Sequence, residues 1–70
     1  MKNNILNIFG LRIRELRLEK KLTQEQFAQL SGLHKNYIGM VERGERNPSL
    51  INIEIIAKTF EISISELMKF

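Results

Sequence analysis

A chain of 70 residues with no cysteine has room for one domain, and it excludes a disulfide framework or a thiolate metal site. Its formal net charge of +3 at pH 7 suits an anionic partner without requiring one. The apolar runs are too short to span a bilayer, and the N-terminal stretch turns charged before a signal-peptide cleavage site could form, so no membrane partner is expected and the expected compartment is the cytoplasm.

Pro48 is the only proline, the glycines are Gly10, Gly32, Gly39 and Gly44, and apolar residues recur at spacings of three and four. The pattern predicts an all-α chain. The first helix is expected from about Ile5 to Lys20, with Leu6, Phe9, Ile13 and Leu16 on one stripe. Arg12, Arg14 and Glu15 fall on its outer side, and Lys20 and Lys21 suit its C-terminal end. The second helix, about 24–31, has a clear start. Thr23 and Gln26 stand at the N-cap and N3 positions of a capping box, flanked by Leu22 and Phe27 as a hydrophobic staple. Gly32 is placed to end it.

A third helix is expected at about 35–43, beginning after His34. Two short helices joined by a tight turn that holds a glycine make a helix-turn-helix. Ala28 is small where the two would cross, and Ile38 and Val41 lie one turn apart to pack back on the second helix. A fourth helix follows Ser49 as N-cap, with Leu50, Ile53, Ile56, Ala57 and Phe60 on one stripe. A last helix, about Ser63 to Lys69, carries Ser63 and Glu66 in a second capping-box pattern.

On a wheel of 100° per residue, Asn36, Gly39, Met40 and Arg43 face away from Ile38 and Val41, with Lys35 at the edge of the first turn. This outward face suits a DNA major groove. Asparagine pairs with adenine, lysine and arginine reach guanine, and an apolar side chain such as Met40 meets a thymine methyl. Gly39 costs about 1 kcal/mol relative to alanine inside a helix, and it would leave a flat spot for close approach. Gln24, Tyr37, Arg43, Arg46, Asn47 and Ser49 surround this face as candidate phosphate binders.

The segment "LTQEQFAQLSGLHKNYIGMVERGERNPSL" resembles the phage repressor/Cro-like (XRE-like) helix-turn-helix family, over nearly the whole chain from about Gly10 to Leu67. Within it, "YIGMVERGERNPSLINIEIIAK" is similar to the small controller proteins of restriction-modification systems. The resemblance implies a lambda-repressor-like bundle of five helices forming one DNA-binding domain over 1–70. It also implies a recognition helix at 35–43, homodimerisation and an inverted-repeat operator. Base contacts are implied for Lys35 and Asn36, with Gly39 or Met40 beside them. Backbone contacts are implied for Gln24, Tyr37, Arg43, Arg46 and Asn47. Arg17 and Glu42 resemble a pair that family members form between the first helix and the end of the third. His34 departs from the Ser, Thr or Asp common at the start of the third helix.

Ile51 and Ile55 lie on the fourth helix opposite its core stripe. With the apolar Met68 and Phe70, they are the candidate dimer interface through the fourth and fifth helices, which would match a palindromic operator. The expected function is a homodimeric, sequence-specific transcription regulator of bacterial or phage origin, and a controller regulating its own promoter would fit. The alternatives are a phage or mobile-element repressor, or an antitoxin whose main task is to hold a protein partner. An enzyme is disfavoured, since a single histidine and scattered carboxylates leave no nucleophile-base set. A lone histidine without cysteine also makes no metal site. Neither a cofactor nor a small-molecule effector is expected.

Overall fold

The computed structural model describes residues 4–70 as five helices. These are α1 Asn4–Glu19, α2 Gln24–Ser31, α3 Lys35–Glu42, α4 Leu50–Thr59 and α5 Ile64–Leu67. Local signals set most of their ends. Thr23 Oγ1 accepts the Gln26 N–H at 3.0 Å, and Gln26 Oε1 accepts the Thr23 N–H at 2.8 Å, so both halves of the capping box form. Gly32 takes a left-handed φ of 78° and donates its N–H to Ala28 O at 2.8 Å, closing α2 where a side chain would be strained.

α1 and α4 end the same way without glycine. Lys21 and Glu61 have φ of 58° and 61°. The N–H of the next residue reaches back five positions in each case, Leu22 to Arg17 O at 3.1 Å and Ile62 to Ala57 O at 3.0 Å. This is the Schellman arrangement, and it satisfies carbonyls the helix would leave open. Each non-glycine residue in this conformation costs about 1 kcal/mol.

The core gathers one stripe from every helix. Phe9, Ile13, Phe27, Ile38, Val41, Ile56, Ala57, Phe60 and Leu67 are buried, with Leu16, Leu22, Leu33, Ile53 and Ile62 packed around them. The Phe27 and Phe60 rings stack at 4.6 Å between centroids. α1 runs so close to α3 that Gly10 meets its backbone. A Cβ on Gly10 would overlap the Val41 and Glu42 carbonyl oxygens and lie 2.8 Å from the Glu42 carbonyl carbon.

Three expectations are corrected. Leu50 does not join the core stripe and is 73% exposed. As the first residue of α4, it stands on the flank shared with Ile51, Glu54 and Ile64. α5 is shorter than expected, and only half of its capping box forms. Ser63 Oγ accepts the Glu66 N–H at 3.0 Å, but the Glu66 carboxylate turns to Arg12 at 3.5 Å and Lys69 at 3.4 Å. Arg12, on the outer side of α1, reaches across to α5. Its Nε donates to Leu67 O at 3.2 Å and its Nη2 to Glu66 O at 2.7 Å, so α1 holds the C-terminal end of α5 by its last carbonyls. No helix among the described residues is long and apolar enough to cross a membrane.

Candidate nucleic-acid interface

The geometry of α2 against α3 is fixed from beneath by a buried polar cluster. Arg17 Nε donates to Glu42 Oε2 at 2.7 Å and its Nη2 to Glu42 Oε1 at 3.0 Å. The third edge of the guanidinium, Nη1, donates to Leu22 O at 2.8 Å. Both side chains are at least nine-tenths buried, so each charge depends on the other for solvation. Gln24 Nε2 adds a bond to Glu42 Oε1 at 3.1 Å. One cluster thereby ties the end of α1, the start of α2 and the end of α3.

Above it lies the outward face of α3. Lys35 and Asn36 are exposed and Met40 is half-buried. The space over Gly39 is filled rather than open: a Cβ there would lie 3.2 Å from Arg43 Nη1 and 3.4 Å from Gln24 Oε1. The missing side chain makes room for these two residues to lie across the helix, and Gly39 itself is buried.

Several of the surrounding polar groups have partners within the chain. Glu45 holds Arg43 through two bonds, Nε to Oε2 at 2.9 Å and Nη2 to Oε1 at 3.1 Å. This hydrogen bond first, and the Glu45 charge second, hold the Arg43 guanidinium above its ordinary pKa. Arg46 lies over the Tyr37 ring, 5.2 Å from its centroid, within cation–π range, and its Nη1 sits 3.7 Å from Met40 Sδ. Tyr37 Oη accepts from Asn52 Nδ2 at 3.1 Å, which pins the ring to α4. Ser49 caps α4 by accepting the Asn52 N–H at 3.1 Å, and Asn47 is exposed just before it. Gln24 and Arg43 thus lie over Gly39, Arg46 joins Met40 to Tyr37, and Lys35 and Asn36 are exposed in the first turn of α3, while Asn47 and Ser49 lie on the connection that leads to α4.

One further cation belongs with them. Arg14 of α1 is exposed and lines a shallow depression with Leu11, Gln24 and Arg43. The sequence pattern assigns it only to the outer side of α1. The signal that could have found it is its position one turn before Arg17, which puts it over the start of α2.

The apolar residues expected at a dimer interface divide into two sets. Ile51 is 69% exposed and lines a depression with Leu50, Glu54 and Ile64. Ile55, on the same side of α4, is half-buried. Met68 lines a separate cleft with Leu6, Phe9 and Ile53, and Phe70 meets Phe9 edge-on at 6.5 Å. The last two are therefore partly engaged within the chain, and Leu50 and Ile64 are the exposed apolar residues that accompany Ile51.

An α2-turn-α3 pair locked by a buried cluster, with an outward helix face of Lys35 and Asn36 ringed by cations, defines a helix-turn-helix protein of the DNA-binding kind. Residues 13–67 match the family model described as Helix-turn-helix, and the chain belongs to that family. It is 44% identical to the control protein C.BamHI of Bacillus amyloliquefaciens, a match that spans 100% of this chain and 88% of that protein. Among solved structures, the restriction-modification controller protein C.AhdI from Aeromonas hydrophila superposes with a TM-score of 0.84 and 50% identity, covering 91% of this chain and 96% of that one. The controller protein C.Esp1396I, solved as a tetramer in complex with its natural 35 base-pair operator, superposes with a TM-score of 0.85 and 34% identity, covering 96% and 92%.

Proposed function

We propose that this chain is a sequence-specific DNA-binding transcription regulator, a controller protein of the restriction-modification type that acts as a homodimer on an inverted-repeat operator at its own promoter. The observation that carries this reading is the outward face of α3, positioned by the Arg17–Glu42–Gln24 cluster and ringed by Arg14, Arg43 and Arg46. The likeness to controller proteins, one of them solved on its operator, supports the same reading.

In this mechanism α3 enters the major groove. Lys35 and Asn36 read base edges, Met40 contacts a thymine methyl, and Gly39 lets Gln24 and Arg43 lie close to the DNA. Gln24, Tyr37, Arg43, Arg46, Asn47 and Ser49 hold the phosphates, with Arg14 added at the edge. These contacts set register and salt dependence rather than sequence preference. Dimerisation through α4 and α5 sets two copies of α3 about 34 Å apart, one helical turn of DNA. Regulation follows from occupancy in the cytoplasm and from protein concentration, with neither a cofactor nor an effector.

Footprinting of the purified protein on the DNA upstream of its own gene, at near-physiological salt, tests this reading. Protection of a short inverted repeat is the expected result. Weak, salt-sensitive binding with no protected site would count against self-regulation.

A further inference from the structure

The turn that ends α3 brings a carboxylate to Arg43. Gly44 takes a left-handed φ of 76° and donates its N–H to Val41 O at 3.0 Å, and Glu45 donates its N–H to Met40 O at 2.8 Å. These are the two bonds of a Schellman motif, and they fix the backbone of Glu45. α1 backs the turn, since a Cβ at Gly44 would overlap the Asn7 side chain. The carboxylate thus stands on a fixed base where it accepts from Arg43, at 2.9 Å from Nε and 3.1 Å from Nη2.

The pair occupies the Nε–Nη2 edge of the guanidinium. The other end, Nη1, lies over Gly39 beside the Gln24 amide, 3.2 Å from where a Cβ would stand. Little of this serves the fold. The two side chains are 59% and 53% exposed, and exposed ion pairs add little stability. Beside DNA, the carboxylate repels phosphate and cancels the charge of Arg43. Sequence-independent binding grows with the number of cations that meet phosphates, so the pair weakens it. A seated α3 is a different case. An acceptor brought over Gly39 meets a guanidinium whose direction is already set, and the freedom of that long side chain is not lost on binding.

We propose that Glu45 is a specificity-determining residue, which clamps Arg43 across Gly39, withholds that cation from sequence-independent contacts and aims it at the acceptor that a seated α3 meets. Glu45 acts through Arg43 and touches no DNA itself. The inference rests on the DNA-binding reading above and deepens it. Specificity is a difference between two affinities, and this pair lowers the unwanted one more than the wanted one.

Glu45→Gln tests it, because glutamine keeps the length and one acceptor oxygen but loses the charge and the second bond. The probes are a duplex selected by the wild-type protein from a random-sequence pool and a scrambled duplex of the same length and composition, each titrated at several salt concentrations. A wild type that binds both alike would end the DNA-binding reading, and the inference with it. With a discriminating wild type, Glu45→Gln should melt as wild type does and bind the scrambled duplex more tightly, with a salt slope steeper by about one ion per subunit. The ratio of selected to scrambled affinity should fall about fivefold per half-site, as expected for one long side chain that must now be ordered on binding. In an Arg43→Ala background the same substitution should leave the ratio unchanged. An equal gain on both duplexes would reduce Glu45 to a repelling charge and overturn the inference. The same fall in ratio without Arg43 would overturn it too, as would a Glu45→Gln protein that melts well below wild type.

Discussion

Arg17 and Glu42 are charged residues whose loss the fold tolerates poorly. Each solvates the other in a site at least nine-tenths removed from water, so removing one leaves an uncompensated buried charge, at a cost of about 3–5 kcal/mol. A domain of this size holds only about 4–10 kcal/mol in total. Glu42→Ala and Arg17→Ala should therefore lose much or all of their cooperative unfolding transition in thermal or urea melts. A loss below about 0.5 kcal/mol, the scale of an exposed pair, would mean that the cluster does not hold α2 and α3. Gly10 makes a second test at this scale. Alanine would gain about 1 kcal/mol in helix propensity, yet its Cβ would overlap two carbonyl groups of α3, and such overpacking costs about 1–3 kcal/mol. Denaturant titration of Gly10→Ala should show a net loss of stability. A variant more stable than wild type would show that α1 and α3 can separate at no cost.

The proposed function assigns base contacts to the outward face of α3 and backbone contacts to the groups around it. Asn36→Ala should relax preference at one position of each half-site while leaving the salt slope in place. Arg46→Ala should weaken binding to all sequences alike and lower the salt slope by about one ion per contact. Binding isotherms at several salt concentrations on matched and single-mismatch duplexes distinguish the two. Identical profiles for the variants would remove this division of roles.

Elements whose ends depend on near neighbours were legible in the sequence. The Thr23–Gln26 box, the Gly32 turn and the Ser49 cap each rest on bonds spanning a few positions, and each stands where the pattern puts it. Features that depend on distant partners were mostly not, although the Arg17–Glu42 pair, 25 positions apart, was expected from the family resemblance. The Glu66 carboxylate is diverted by Arg12, 54 positions away. Gly10 is required by a backbone approach that no periodicity encodes, and the end position of Leu50 frees it from the stripe its spacing assigns. On the candidate interface, the exposed face of α3 follows from helical geometry alone. The hold of Glu45 on Arg43 and the lie of Gln24 and Arg43 across Gly39 required the packed structure.

At the scale of the whole molecule, a core of nine buried apolar residues among the described residues coexists with an exposed apolar flank of Leu50, Ile51 and Ile64. Pairing that flank with its copy buries it twice over and gives the two-fold symmetry that a palindromic site requires. Sedimentation at micromolar concentration should give wild type at twice the 8.2 kDa of one chain. Ile51→Lys, which sets like charges against each other across the axis, should sediment as a folded monomer with much weaker operator binding. A monomeric wild type would remove α4 and α5 as the interface.

Selection of binding sites by the wild-type protein from a random-sequence duplex pool tests the central claim most directly. A homodimer with one α3 per half-site predicts enrichment of an inverted repeat whose half-site centres lie about 10 base pairs apart. Enrichment of a single asymmetric site, or of none, would contradict a two-fold dimer reading DNA through α3.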